Sequence, residues 1–250
     1  PEHEVTPPPV VVELAKGRTI RAVWENEAGG LTFEIGRDAE RCFVKWIPAQ
    51  HAWQIAAEIA RLRWAARYAV VPEVLDAGSD DEGGWMLTRA IPGDSAVAAR
   101  WLADPATAVR AIGEGLRALH DTLPVSACPF SWSVEDRVAD VRHRAHARLI
   151  DPSRWHPVHH DLSIDDALAR LGAPPPIDRL VVCHGDACAP NTIVGPDGQC
   201  TGHVDLGALG IADRWADLAV ATWSTEWNYG PGWEHELLDA YGTEPNPVRN

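Results

Sequence analysis

The sequence predicts an α+β fold in two lobes, with a small antiparallel-sheet lobe over residues 1–90 and a mainly helical lobe over residues 91–250. Three observations carry this expectation. Short β-type runs divided by turn residues fill 19–46 and 72–88, and the apolar spacing becomes helical after the break at Ile91-Pro92-Gly93. A single β-rich island, from Leu180 to Gly207, then interrupts the helical part. At 250 residues the chain exceeds the usual single domain but is short for two independent ones, which suits one unit with two lobes.

Three strands are expected first, at Thr19 to Glu25, Leu31 to Gly36 and Arg41 to Trp46, divided by Asn26-Glu27-Ala28-Gly29-Gly30 and by Gly36-Arg37-Asp38. From Gln50 to Tyr68, Trp53, Ile55, Ala56, Ile59, Ala60, Leu62 and Trp64 recur at helical spacing with no Gly or Pro among them, so a long helix follows. Two more strands, Pro72 to Ala77 and Trp85 to Thr88, flank the polar turn Gly78 to Gly84. Helices are expected at Ala106 to Asp121, Val134 to Ile150 and Ser163 to Leu171, the last stopped by Gly172 and Pro174-Pro175-Pro176.

Composition narrows the function. With 46% hydrophobic residues and twelve Trp the chain is globular, and no window approaches the roughly 20 apolar residues of a membrane helix. A net charge of −14, divided as −4 over residues 1–90 and −10 over 91–250, argues against nucleic acid or an anionic membrane surface as partner and suits a cationic ligand. No obligate protein partner is implied. The five cysteines form no CxxC pair and are odd in number, which predicts a reducing, cytoplasmic setting.

The chemistry lies in the island. After Leu180-Val181-Val182-Cys183 comes His184-Gly185-Asp186-Ala187-Cys188-Ala189-Pro190-Asn191, and after the next hairpin Asp205-Leu206-Gly207, with Asp205 19 positions beyond Asp186. Hairpin geometry should gather the three polar side chains at strand ends. Phosphoryl transfer asks a protein for this set: a carboxylate to orient the attacking hydroxyl, and an Asn and an Asp to hold Mg²⁺ against nucleotide phosphates. HGD or DLG alone would be weak; HGDxxxxN followed by DxG, in strand–loop–strand context, is specific.

This block resembles the catalytic and metal-binding loops of the protein-kinase-like fold, with HGD where protein kinases have HRD. More narrowly, VVCHGDACAPNTIVGPDGQCTGHVDLGALGIADRWADLA resembles the aminoglycoside 3'-phosphotransferases at nearly every position. The resemblance runs from about Thr19 to Tyr241 and is densest from Val181 to Ala221. It implies a transfer from MgATP or MgGTP to a hydroxyl of an aminoglycoside or similar cationic aminosugar. Asp186 would be the catalytic carboxylate, and Asn191 and Asp205 the Mg²⁺ ligands. His184 would hold the loop, and Asp217 would be the buried acid supporting it.

A kinase also needs a lysine for the nucleotide phosphates, paired with a helix glutamate. Only two lysines occur among 22 basic residues, and one, Lys45, ends the third expected strand. Glu58 lies on the helix that follows, where it can face the sheet. The plainer readings are an edge-strand charge and a solvated helix residue. Gly29-Gly30 stands where a nucleotide-covering loop is expected, although a Gly pair between strands is often only a turn. Arg89-Ala90-Ile91 would be the hinge, with Arg89 and Ile91 offering backbone groups to the adenine edge.

Other residues invite plainer readings. His156, His159, His160 and Asp161 form a metal-like HxxHHD, but in a Pro-broken loop with no helix to fix ligand geometry. Cys183 and Cys188 flank Asp186; core packing and loop filling explain them better than a nucleophilic thiol. The spacing of Trp215, Trp223, Trp227 and Trp233 favours packing over a stacking surface. Glu226, Glu234, Glu236 and Asp239 are equally a solvated face or a wall for a cation. Three rivals keep some of these features: a kinase for a macrolide, choline, homoserine or fructosamine; an inactive nucleotide-binding regulatory module; and a metallohydrolase on His184, Asp186 and Asp205.

Overall fold

A computed structural model of the chain describes residues 5–26, 28–155, 159–171 and 175–246. Glu27 of the first turn, His156 of the His-rich loop, and Gly172 and Pro174 of the expected helix stop lie outside the described residues. The N-terminal part comprises α1 (Pro9–Ala15), β1 (Ile20–Glu25), β2 (Leu31–Ile35), β3 (Cys42–Pro48), α2 (Trp53–Ala65), β4 (Val74–Ser79) and β5 (Gly83–Arg89). Its strands form an antiparallel sheet of order β1-β2-β3-β5-β4. Thus β3 is an interior strand.

Strand alternation divides the two faces of this sheet. Cys42 and Val44 of β3, with Phe33, Ile35 and Leu87, bury against Val11 and Ala15 of α1. Ile47 and Met86, on the other face, join α2 in the main core. Helix α1 is not legible in the apolar spacing of the sequence. Its proline supports one, because Pro9 occupies the first helical turn, where no N–H partner is needed, and Lys16 ends the helix in a left-handed conformation at φ 49°.

The β4–β5 turn is shorter than expected. Gly78, Ser79, Gly83 and Gly84 pair within the strands, because Asp80 Oδ1 accepts from the N–H groups of Glu82 and Gly83 at 2.8 and 2.9 Å and closes the loop early.

The second part runs β6 (Asp94–Ser95), α3 (Ala99–Leu102), α4 (Pro105–Thr122), α5 (Val134–His146), α6 (Ile164–Arg170), β7 (Leu180–Cys183), β8 (Thr192–Val194), β9 (Cys200–His203), β10 (Gly210–Asp213), α7 (Trp215–Tyr229) and α8 (Glu234–Tyr241). Ser133 and Ser163 cap α5 and α6 by accepting from the backbone of Asp136 and Asp166. Helix α5 ends before the expected Ile150, since Arg148 adopts φ 56°. Strand β10, not foreseen from the sequence, pairs with β7 beneath the HGD loop, while β8 bridges β6 and β9.

Helix α4 is the axis of this part, burying Val109, Ile112, Leu116 and Leu119 in the main core. Of the four tryptophans expected to pack, Trp215 is buried and Trp233 packs partly on the core. Trp223 and Trp227 do not follow that expectation. They are 44% and 58% exposed and lie against each other at 4.5 Å between ring centroids. Four residues apart, they share a face of α7 that turns away from its buried Leu218, Ala221, Thr222 and Thr225.

The α4–α8 contact depends on a missing side chain. A Cβ on Gly113 would stand 2.5 Å from the Leu237 carbonyl oxygen and 2.8 Å from Ala240 Cβ. Gly113→Ala should therefore destabilise the protein by about 1–3 kcal/mol through overpacking, despite a helix-propensity gain of up to about 1 kcal/mol. A lowered urea midpoint is the expected result, and a raised one would reverse this balance.

Candidate active site

Three side chains from three elements meet where the two parts face each other. Lys45, on the inner face of β3, donates through Nζ to Glu58 Oε2 of α2 at 2.7 Å and to Asp205 Oδ1, just beyond β9, at 2.7 Å. The alternatives of an edge-strand Lys45 and a solvated Glu58 do not hold: β3 is interior and Glu58 is buried. The Asp205 backbone is left-handed at φ 62°, which Asp tolerates better than most residues.

The three groups divide one positive and two negative charges. Burial works against the Lys45 ammonium, but the charges of Glu58 and Asp205 outweigh it and hold its pKa above the usual lysine value. Burial raises Glu58, and Lys45 only partly counters it. For Asp205 burial also acts upward, yet Lys45 wins and its pKa is lowered. Glu58 is 7% exposed at its side chain and Asp205 48%, so the acid whose pKa rises is the enclosed one and the acid whose pKa falls is the one that solvent reaches.

A second acid organises the HGD loop from below. Asp217, fully buried at the start of α7, accepts from His184 N–H at 2.5 Å and Gly185 N–H at 2.9 Å. His120 of α4 adds a 3.0 Å bond from Nε2, and its Nδ1 lies 2.9 Å from the Tyr241 hydroxyl of α8. Burial alone would raise the Asp217 pKa; the His120 hydrogen bond and charge, with the loop N–H groups, bring it below the usual carboxylate range. Gly185 meets the need for a residue without a Cβ: its φ is +88°, and a Cβ would stand 2.3 Å from the Ala208 carbonyl oxygen.

His184 is buried and bonded on both ring nitrogens, with Nε2 donating to Val204 O at 2.9 Å and Nδ1 accepting from Asp186 N–H at 3.2 Å. His203, at the end of β9, lies edge-on to it at 5.8 Å between centroids. Burial lowers the His203 pKa to about 3, so it packs as a neutral ring.

This scaffold presents Asp186 at the surface. Its Oδ1 accepts from Cys188 Sγ at 2.9 Å and its Oδ2 from Asn191 Nδ2 at 3.3 Å, while the same Nδ2 bonds Asp186 O at 2.9 Å. With Nδ2 so used, Asn191 has its amide oxygen left as a ligand, and Asn191 O accepts from Val204 N–H at 3.0 Å, next to Asp205. An amide oxygen and an accessible ionised carboxylate are hard oxygen donors and suit Mg²⁺.

The remaining expected residues are spread around this centre. Gly29 and Gly30 close the β1–β2 hairpin, with Asn26 Oδ1 accepting from Gly30 N–H at 2.7 Å. Arg89 ends β5 and sends its guanidinium to Glu73 at 2.8 Å; Ile91 is buried just beyond. Cys183 is fully buried, as core packing predicts. His160 Nε2 donates locally to Trp155 O at 2.6 Å. Glu236 pairs with Arg110 at 3.0 Å. Sequence reasoning missed His120, Tyr241 and Ser224, whose contributions arise from helix packing and carry no local motif.

Residues 19–249 match the family described as the phosphotransferase enzyme family. The chain is 37% identical over 237 residues to an aminoglycoside 3'-phosphotransferase of Streptomyces fradiae, covering 88% of this chain and 87% of the relative. It is 36% identical over 245 residues to a streptomycin 3''-kinase of Streptomyces griseus, covering 91% and 87% respectively. Among solved structures, the aminoglycoside phosphotransferase APH(3'')-Id of Streptomyces rimosus superposes with a TM-score of 0.80 at 27% identity, covering 96% of this chain and 92% of that one.

The buried acid yields a pH test. Because the native Asp217 pKa is depressed, its stabilisation is complete above the ordinary carboxylate range and is lost as pH falls through the native value. Asp217→Asn should cost about 2–4 kcal/mol at pH 7, and the difference from wild type should shrink below about pH 4. Urea titrations at both pH values check this.

Proposed function

Because the chain belongs to the phosphotransferase enzyme family, we propose that it transfers the γ-phosphate of ATP or GTP, held with Mg²⁺, to a hydroxyl of an aminoglycoside or similar cationic aminosugar. The observation that carries this reading is the Lys45–Glu58–Asp205 cluster beside the Asp186–Asn191 loop: an ammonium, the oxygens of Asn191 and Asp205, and the exposed Asp186 carboxylate near one another, as phosphoryl transfer requires.

In this reaction Lys45 leaves Asp205 for the nucleotide phosphates while Glu58 keeps its ammonium in place. Asn191 and Asp205 would hold Mg²⁺, which supplies neutralisation of the phosphate charge. Asp186 accepts a hydrogen bond from the acceptor hydroxyl, aims its oxygen at the γ-phosphorus and takes its proton as the new P–O bond forms and the bond to the leaving diphosphate breaks. Residues 1–90, with the Gly29-Gly30 turn above the phosphates and the backbone at Arg89 and Ile91 along the base, form the nucleotide lobe; residues 91–250 form the acceptor lobe. The net charge of −14 favours a polycationic acceptor. Among the described residues no helix is long and apolar enough to cross a membrane. All five cysteines are free, in keeping with a reducing cytoplasm.

A second reading concerns the acceptor alone. The likeness to the streptomycin 3''-kinase, and to APH(3'')-Id, which has been solved in complex with ADP and streptomycin, supports streptomycin, while the S. fradiae 3'-phosphotransferase supports a 3'-hydroxyl aminoglycoside.

Nucleotide consumption with Mg²⁺, streptomycin and a panel of 3'-hydroxyl aminoglycosides is the direct test. We expect stimulation by an aminoglycoside, and Asp186→Asn should lower kcat by about 10³-fold with nucleotide affinity within about threefold of wild type. Asp205→Asn should weaken Mg²⁺-dependent nucleotide binding by about tenfold or more. Stimulation only by a non-cationic alcohol would overturn the acceptor class. Full turnover in Asp186→Asn would overturn the residue's role.

A further inference from the structure

The catalytic loop contains a donor that the proposed chemistry does not use. Cys188 Sγ lies 2.9 Å from Asp186 Oδ1, closer than the Asn191 amide, which reaches Oδ2 at 3.3 Å. Each carboxylate oxygen thus holds one donor, and the two together oppose rotation of the group about its last bond. The loop that carries the thiol is itself anchored. Cys188 O accepts from Asn191 N–H at 2.9 Å, and the next residue, Ala189, donates its N–H at 2.8 Å to Ser224 Oγ of α7, which also accepts from Asn228 Nδ2 at 3.2 Å. Ser224 is 2% exposed and part of the rigid helix that begins at Asp217's turn.

Resting on the reading of Asp186 as the hydroxyl-orienting carboxylate, we propose that Cys188 is a positioning residue whose thiol fixes Asp186 Oδ1 from a loop tied to α7 by the Ala189–Ser224 bond. The second lone pair on each oxygen remains for the acceptor hydroxyl, so the thiol sets direction without occupying the reacting position. A carboxylate free to swing would spend much of its time misdirected, and small misplacement at a reacting group costs rate far more than binding. The sulfur performs no covalent step. A thiol is a weak donor, so its effect lies in fixing geometry and not in changing the charge of the acid.

Three variants separate this role from simple loop filling. Cys188→Val keeps the volume and loses the donor; Cys188→Ala loses both; Cys188→Ser keeps a donor. With the aminoglycoside that stimulates nucleotide consumption, Val and Ala should each lower kcat by about tenfold while KM for nucleotide stays within about twofold, and Ser should restore kcat to within about threefold of wild type. Nucleotide binding by each variant reports that it has folded. Wild-type kcat in Val and Ala, or a Ser variant as slow as Ala, overturns the positioning role. Asp186→Asn, measured in parallel, keeps the two inferences apart: if it retains full turnover the premise fails, whereas if it is inactive and Val and Ala are unaffected only the role of Cys188 fails.

Discussion

One ammonium group joins the two parts of this protein. Lys45 Nζ bonds a helix acid from its own lobe and a loop acid from the other, at 2.7 Å each. The consequences follow from charge. One cation stands beside two carboxyl groups, and burial treats them unevenly. In Glu58, enclosed between α2 and the sheet, desolvation outweighs Lys45 and raises the pKa; in Asp205, more open to solvent, Lys45 outweighs desolvation and lowers it. In the proposed reaction a divalent cation and a polyphosphate would meet this cluster together more readily than either alone, since each neutralises what the other brings. The β3 register, the depth of α2 and the left-handed turn at Asp205 all serve to bring these three atoms into contact.

Below this cluster the loop is held by desolvated groups. Asp217 gathers two backbone N–H groups and the His120 ring in the protein interior, and Tyr241 completes the chain of hydrogen bonds. Buried charge is costly unless fully satisfied; here satisfaction is spread over the loop, α4 and α8, so the loop conformation is tied to the packing of the whole helical part. His120, Cys183 and Asp217 are close enough together to suggest a metal site, but Asp217 is engaged by the loop and His120 is bonded at both ring nitrogens. Their arrangement is that of a structural network.

The rest of the helical part is packed differently. Side chains around the HGD loop are held by several hydrogen bonds each, whereas α5 and α6 bury no residue and Trp223 and Trp227 are largely exposed. If the proposed acceptor lies against these helices, loose packing there beside a fixed loop is a physical basis for a shared chemistry with differing hydroxyl acceptors.

Much of this was legible in the sequence because it is local. The order HGDxxxxN then DxG, Lys45 on the third strand and Glu58 on the helix after it are short-range patterns whose spacing alone puts Asp186, Asn191, Lys45 and Glu58 on the right elements. The antiparallel sheet and α4 likewise follow from period and turn chemistry, with errors of a few residues where capping decides, as at Asp80 and Arg148. Helix α1 was hidden because a proline run reads as a breaker until the sheet supplies a face for Val11 and Ala15. Tertiary structure alone decided that Trp223 and Trp227 face outward, that β10 pairs beneath the loop, and that His120, Ser224 and Tyr241 make hydrogen bonds in this network to residues from 35 to 121 positions away in the chain. Those contacts depend on which helix faces meet and on which polar groups must be satisfied once water is excluded, conditions that exist only after the chain has packed.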